Sequence, residues 1–104
     1  MFRLPAGILA FMLLTTIGWP QQPHSYTPPK GFVPDSITAV RIAVAVWGPI
    51  YGDSAIQHEA PFRAILRRGV WTVTGTLSTG VPGGVAIVEI AKANAAIIRV
   101  SHGR

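Results

Sequence analysis

The chain has 104 residues, a formal net charge of +5 and no cysteine. Because there is no thiol, disulfides, zinc–thiolate centres and cysteine nucleophiles are excluded. The length allows one domain at most, and with 49% hydrophobic and only 12% charged residues the chain is not a disordered polyelectrolyte. The excess of cations favours a solvated face or a protein contact over nucleic acid, since neither base-stacking aromatic residues nor a known docking motif accompanies it.

Residues 1–18 have the pattern of a secretory signal peptide. A positively charged start precedes an uncharged, mostly apolar run at residues 6–17. As a helix this run spans about 18 Å, which is short of the roughly 30 Å hydrocarbon core of a bilayer. Small side chains before Trp19 predict cleavage there and export to the periplasm or beyond the cell, with only transient membrane contact through the signal segment. In the alternative interpretation, an uncleaved leader anchors the protein in the inner membrane, with Trp19 at the interface.

Residues 19–33 are predicted to form a proline-rich linker, and residues 34–104 the folded domain. Four of the nine prolines of the chain lie between Pro23 and Pro34. Proline removes a main-chain donor and favours extended backbone, so regular structure is not expected before residue 34.

The run Pro34–Asp35–Ser36 is predicted to open a long helix, with Asp35 or Ser36 as its N-cap. Apolar residues then recur at three- and four-residue spacing, which places them on one face. These residues are Ile37, Val40, Val44, Trp47 and Tyr51. The pair Gly48–Pro49 predicts a kink or a break, because proline lacks the amide hydrogen that the helix ladder needs.

The rest of the domain is predicted to be one short helix followed by four strands. The helix covers residues 53–60, with Asp53 or Ser54 as its cap, and the strands cover residues 62–68, 70–74, 85–90 and 96–101. Arg68–Gly69 is expected to be a tight turn, and Asn94 is expected to take the left-handed conformation in the last hairpin. This order favours an α+β fold, a strand meander with a helix on one face.

The residues give weak support to any catalytic or metal site. His58–Glu59 starts a zinc-protease motif, but the position of the second histidine holds Phe62. His58, Glu59 and His102 would form a polar site only if the fold brought them together. Glu89 is interpreted either as a pocket residue or, preferably, as the cross-strand partner of Arg99 or Arg63. We therefore predict no catalytic residue, metal ligand or cofactor.

Aromatic and glycine-rich stretches are likewise assigned to structure. Trp47 and Trp71 are expected to be core or pocket-lining residues, since aromatic residues at strand and helix spacing usually are. The loop at residues 80–84 lacks the lysine and the following helix of a phosphate-binding loop, so it is interpreted as a hairpin turn.

Several short motifs together resemble the small bacterial immunity proteins with a nuclear transport factor 2-like fold, which accompany secreted toxins. The resemblance covers residues 31–104. Its marks are Pro34–Asp35, Ile50–Tyr51–Gly52, Pro61–Phe62, Gly69–Val70–Trp71, Gly75–Thr76–Leu77, Gly83–Gly84 and Ser101–His102–Gly103. The turn at Ala93–Asn94–Ala95 is less polar than the Asp–Gly type common in the family, and the chain carries few charges.

The resemblance implies a cone-shaped domain in which a curved four-stranded antiparallel sheet wraps against the long helix. It also implies a non-enzymatic protein that binds and neutralises a cognate toxin. The expected partner contacts are Arg63, Arg67, Arg68, Arg99 and His102, and the expected pocket residues are Trp71 and Glu89. The alternative is a small exported ligand-binding protein or enzyme that uses the pocket of the cone, with Glu89 and His102 as the polar pair.

Overall fold

The computed structural model of the protein describes residues 23–80 and 82–103. The predicted signal peptide and the first residues of the predicted linker lie outside the described residues. Within the described residues, two helices precede a four-stranded antiparallel sheet in which the strand order follows the chain. The predicted α+β fold with helices packed on a four-stranded sheet is therefore confirmed.

The bounds of the elements are close to those expected from the sequence. The helices are α1 at Ser36–Tyr51 and α2 at Asp53–Gln57. The strands are β1 at Arg63–Arg67, β2 at Val70–Thr74, β3 at Val85–Ala91 and β4 at Ile97–Gly103. Among the described residues no helix has both the length and the apolar character needed to cross a bilayer.

Helix α1 begins at the predicted cap. The carboxylate of Asp35 accepts hydrogen bonds from the hydroxyl of Thr38 at 2.6 Å and from its amide at 2.8 Å. These bonds satisfy one of the otherwise unpaired amides of the first helical turn. The same bonds, the hydroxyl first, lower the pKa of Asp35 because they favour its charged form.

The buried face of α1 is rotated from the predicted one. Ala39, Ala43 and Trp47 are fully buried, whereas Ile37 is 62% exposed. The alanines lie at four-residue spacing and let the helix approach the sheet closely, so the larger side chains at positions 40 and 44 flank the contact. Ile37, which was predicted to share one apolar face with Trp47, is instead exposed at an open groove beside β1, while the smaller Ala39 is buried in the core.

Pro49 does not break α1. The helix continues to Tyr51, and the amide of Gly52 donates to the carbonyl oxygen of Gly48 at 2.8 Å. A proline at position 49 withholds a hydrogen bond from the carbonyl of Ala45, one turn earlier. Ala45 is exposed, so solvent can satisfy that carbonyl and the helix tolerates the proline.

Helix α2 is shorter than predicted and starts differently. Its N-cap is Gly52, with no side-chain capping bond, so the predicted cap at Asp53 or Ser54 is wrong. Ile56 is the buried residue of this helix and fixes it against α1. The amide of Glu59 then donates to the carbonyl oxygen of Ile56 at 2.9 Å in a turn that leads to β1.

Two tight turns set the register of the sheet. Arg68 and Gly69 have φ values of 52° and 75°, as a two-residue hairpin turn requires, which confirms the turn predicted there. In the β3–β4 turn the positive φ, 64°, belongs to Ala95. Asn94 was predicted to take that conformation, but its side-chain oxygen instead accepts from the amide of Ala96 at 3.0 Å.

The core lies between α1 and one face of the sheet. The strand residues in it are Trp71, Val73, Ala86, Val88 and Ile90. Burial alternates strictly along β2 and β3, so the intervening side chains lie on the opposite face. We call the face that packs on α1 the inner face and the opposite one the outer face.

Packing of the domain begins before the predicted boundary at residue 34. Val33 is fully buried, and its amide donates to the carbonyl oxygen of Lys92 at 3.0 Å. The amide of Phe32 donates to the carbonyl oxygen of Ala93 at 3.1 Å. Residues 31–33 therefore form part of the folded unit, whereas residues 23–27 are exposed.

Candidate protein-binding surface

The outer face of the sheet contributes none of the side chains of the buried core. The antiparallel register aligns Ile65 of β1 with Thr72 of β2, and Thr72 with Glu89 of β3. Paired residues share a face of the sheet, so these three side chains lie together on the outer face. Ile65 is 46% exposed there, which is the kind of isolated apolar group that a protein contact buries.

Three of the five predicted contact residues also lie on the outer face. Arg63 and Arg67 flank Ile65 at alternate positions of β1, and Arg99 is aligned with Glu89 in the β3–β4 pair. All three arginines are exposed. The outer face therefore combines apolar side chains with an excess of cations.

The predicted pairing of Glu89 with Arg99 is confirmed. The Nη2 atom of Arg99 lies 3.2 Å from a carboxylate oxygen of Glu89. This surface ion pair offsets one positive charge and holds both side chains across the strands, although exposed pairs contribute little to stability. The positive charges of Arg63 and Arg67 then dominate the β1 side of the outer face.

Arg68 lies beside this surface, in the β1–β2 turn. It is exposed and has a positive φ, which directs its side chain away from the strand alternation. Arg68 therefore extends the positive surface beyond the end of β1 rather than lying on the sheet.

The fifth predicted contact residue, His102, lies on the inner face. Its register partner is Ala86, a core residue. The ring of His102 packs against Tyr51 with ring centroids 5.3 Å apart, and its Nε2 lies 3.7 Å from a carboxylate oxygen of Glu59. His102 thus belongs to the contact between the helices and the end of β4, and not to the surface that carries the arginines.

Neither predicted pair of pocket residues converges. Trp71 is aligned with Ile90 on the inner face, whereas Glu89 lies on the outer face. The two expected pocket residues, Trp71 and Glu89, therefore lie on opposite faces of the sheet, because adjacent positions of β3 point to opposite sides. The same alternation separates Glu89 from His102, the polar pair that the enzyme interpretation required.

The fold does bring Glu59 and His102 together, and Glu59 has a structural role that the sequence did not reveal. One carboxylate oxygen of Glu59 accepts from the buried amide of Ala86 at 2.8 Å. Gly75 makes room for this carboxylate, since a β-carbon at that position would overlap it. His58 is not part of the group, because its Nδ1 lies 2.7 Å from the carbonyl oxygen of Ser54.

A groove of about 490 Å³ lies between the first turns of α1 and strand β1. It is lined by Ser36, Ile37, Val40, Arg41, Phe62, Arg63 and Ala64. Arg41, the single charged residue between Ser36 and Gly52, was not predicted as a contact residue. Its position as a lone charge in an apolar helix could have indicated that its side chain is exposed, since such a charge must face away from the core.

These geometries give the described surface the features of a protein interface. Within residues 23–80 and 82–103, no group of three or more His, Asp and Glu side chains is placed to hold a metal ion. The outer face and the adjoining groove instead offer exposed apolar side chains next to guanidinium groups, the combination typical of protein interfaces.

Comparison with known proteins agrees with the fold. The sequence profile of the NTF2 fold immunity protein family matches residues 38–104, from the first turn of α1 to the end of the chain. "Uncharacterized protein YhhH" of Escherichia coli (strain K12) is 30% identical over 76 residues, which are 72% of this chain and 60% of that protein. No solved structure matches the chain.

The chain thus spans about 60% of the length of the curated relative it matches. The family profile, in contrast, includes all but the first two residues of α1, the whole of α2 and all four strands, and it covers more than half of the chain. The motifs at Gly69–Val70–Trp71 and Ser101–His102–Gly103, which first indicated the resemblance, lie within the matched range. The chain belongs to the NTF2 fold immunity protein family.

Proposed function

We propose that this protein is a non-enzymatic immunity protein that binds and neutralises a cognate bacterial protein toxin. Membership of the immunity family supports the role, and the outer face of the sheet supports the mechanism. The observation that carries the proposal is that Arg63, Ile65 and Arg67 lie exposed on one face of β1, opposite the face that packs on the helices.

The positive charge of this surface favours an acidic face on the toxin. Charge complementarity accelerates encounter and excludes wrong partners, whereas burial of apolar groups such as Ile65 supplies affinity. Binding alone then neutralises the toxin, because a bound domain of this size covers the site through which the toxin reaches its substrate.

We further propose that the encounter takes place outside the cytoplasm, because residues 1–18 have the sequence pattern of a signal peptide. If residues 1–18 are a cleaved signal peptide, the protein protects the cell against a toxin that acts in the periplasm or beyond the cell. N-terminal sequencing of the native protein tests this part of the proposal: a start at Trp19 supports export, and a start at Met1 supports an anchor in the inner membrane.

The proposal predicts a toxin gene in the neighbourhood of this gene, and co-expression with the product of that gene tests the function. We expect growth rescue by the full chain and co-purification of a complex of the two proteins. Arg67→Glu should weaken the complex, whereas Lys30→Glu, an equal change of charge on an exposed residue outside the strands and the groove, should not. Absence of both rescue and a complex for the unaltered chain would refute the proposal.

A further inference from the structure

Strand β1 lies at the edge of the sheet and exposes main-chain groups along one side. The sheet order makes β2 its strand neighbour, and Arg67 and Val70 flank the two-residue turn. In such a hairpin the residues next to the turn exchange hydrogen bonds, and pairs alternate from there between bonded and non-bonded. Ala64 and Leu66 belong to non-bonded pairs, so their amides and carbonyls point away from β2.

The groove opens beside this edge. Phe62 and Ala64 line it from the strand side, and Ile37 and Val40 line it from the helix side. Ile37 is 62% exposed, and Leu66, further along β1, is 42% exposed. Apolar side chains here remain in contact with solvent in the isolated domain, and burial of them would favour a bound segment.

Guanidinium groups surround the same edge. Arg41 and Arg63 line the groove, and no carboxylate of the described part of the chain does. Arg67 lies at the other end of β1. Asp35 lies near Arg41, but its carboxylate is already bound by Thr38. The charge next to the exposed main-chain groups is therefore positive.

We propose that the edge of β1 and the adjoining groove bind an extended acidic segment of a partner protein, which adds to the sheet as a fifth strand. Side chains across adjacent strands share a face, so alternate residues of the segment meet Arg63 and Arg67 on the outer face. The intervening residues point to the side of Ala64 and enter the groove. An alternation of acidic and apolar residues therefore fits this site. The inference rests on the proposed function only in naming the toxin as the protein that supplies the segment.

A second copy of this chain is a poor occupant of the same edge. Antiparallel pairing of β1 with its copy, centred on Ile65, places Arg63 of one strand opposite Arg67 of the other. Like charges directly across a strand pair are destabilising. Arginines at both ends of a short edge strand oppose self-association and favour a carboxylate-bearing partner.

A synthetic peptide tests the site directly on the purified chain. The probe is a short, fluorescein-labelled peptide in which glutamate and valine alternate, and its control has lysine in place of glutamate. We expect fluorescence anisotropy to report binding of the acidic peptide, weakened as salt rises, and at least about tenfold weaker binding of the lysine peptide. Equal binding of the two peptides would overturn the proposal.

Methylation of the peptide main chain tests strand addition without altering the protein. Two further peptides carry N-methyl groups on alternate amides, one on the odd set and one on the even set. Because one set faces β1 in any register, one methylated peptide should lose binding and the other should retain it. Retention of binding by both would show that the peptide contacts side chains only, and would refute an added strand.

Charge reversal on the protein locates the site. Arg63→Glu with Arg67→Glu should abolish binding of the acidic peptide and permit binding of the lysine peptide, whereas Lys30→Glu should change neither. Circular dichroism of each variant confirms that it is folded. If the double variant is folded and binds the acidic peptide like the unaltered chain, the arginines only guard the edge against aggregation and the proposal fails.

Binding experiments with the toxin distinguish this inference from the proposed function. If the toxin forms a complex that the double variant and an excess of acidic peptide leave intact, the edge site is refuted and the immunity function stands. If the acidic peptide binds as described but the toxin does not, the edge site stands and the immunity function is refuted.

Discussion

The indole Nε1 of Trp71 donates a hydrogen bond of 2.8 Å to the main-chain carbonyl oxygen of Val33. Both residues are buried, and the amide of Val33 donates in turn to the carbonyl oxygen of Lys92. The main chain of Val33 is therefore held on both sides, by β2 and by the β3–β4 turn. This arrangement fixes the point from which α1 departs across the sheet, and with it the position of the groove beside β1.

Trp71→Phe removes the indole donor and leaves the buried carbonyl oxygen of Val33 without this hydrogen bond. An unpaired buried carbonyl costs about 1–3 kcal/mol. Trp47 supplies the matched control, because its own Nε1 is buried and has no hydrogen-bond partner among the described residues. We expect Trp71→Phe to lower the free energy of unfolding by about 1–3 kcal/mol more than Trp47→Phe in equilibrium urea denaturation.

Both substitutions remove the same atoms from buried tryptophans, so the cavity contribution is similar in the two variants. Trp47→Phe keeps an aromatic ring beside Phe62, whose centroid lies 5.7 Å from that of Trp47. Equal losses of stability in the two variants would contradict a role of the Trp71–Val33 bond in holding the segment.

The segment before α1 also depends on a close approach at Gly31. Its φ is +85°, and a β-carbon there would lie 2.5 Å from the carbonyl oxygen of Lys92. Gly80 has a similar φ of +80° with nothing within 4 Å of such a carbon. An alanine in the left-handed region costs about 1–2 kcal/mol at either position, and only Gly31→Ala adds an overlap with the main chain.

We therefore expect Gly31→Ala to lower the thermal midpoint clearly more than Gly80→Ala, as measured by circular dichroism. Hydrogen exchange should also increase at the amides of Phe32 and Val33, whose partners are in the β3–β4 turn. If the two variants have the same thermal midpoint, the contact between residue 31 and Lys92 does not constrain the fold.

Much of the fold was predictable because it follows from local physics. The cap at Asp35 and the turn at Arg68–Gly69 were identified from residue types alone. The face of α1 was misjudged because hydrophobicity alone ranks Ile37 above Ala39, whereas close packing on the sheet selects the small residue. The left-handed residue of the last turn was misassigned because Asn94 uses its side chain to bond Ala96 instead.

The candidate surface was predictable only in part. Strand alternation sufficed to place Arg63 and Arg67 on one side of β1. The separation of Glu89 from His102 required the register between β3 and β4, which no single strand encodes. The contribution of Arg41 to the groove depends on where α1 crosses the sheet, a tertiary property that the helical pattern does not specify.

Glu59 is expected to stabilise the end of the sheet through its hydrogen bond to Ala86 rather than through its charge. Glu59→Ala leaves the buried amide of Ala86 without this acceptor, at a cost of about 1–3 kcal/mol. Glu59→Gln keeps a carbonyl oxygen in reach of the amide and should retain most of the stability. The 3.7 Å approach to the half-exposed His102 contributes little in either case.

Equilibrium denaturation of the two Glu59 variants at neutral pH tests this assignment. If Glu59→Gln loses as much stability as Glu59→Ala, the carboxylate charge is required and the interaction with His102 gains importance. In that outcome His102→Ala should lower stability by a similar amount, which links the two side chains in a double-mutant cycle.

The cap at Asp35 makes the stability of α1 depend on pH. Hydrogen bonds from Thr38 lower the pKa of Asp35 below the ordinary value of 3.8. Because the folded pKa is depressed, the stabilisation is fully present above about pH 3.8 and is lost as the pH falls through the lower, folded value.

Asp35→Asn keeps a capping oxygen that does not titrate. In urea denaturation as a function of pH, the unaltered chain should lose stability relative to Asp35→Asn below about pH 3.8, since every other ionisable group is common to both proteins. Parallel stability curves across that range would show that the charge of Asp35 does not contribute to the cap.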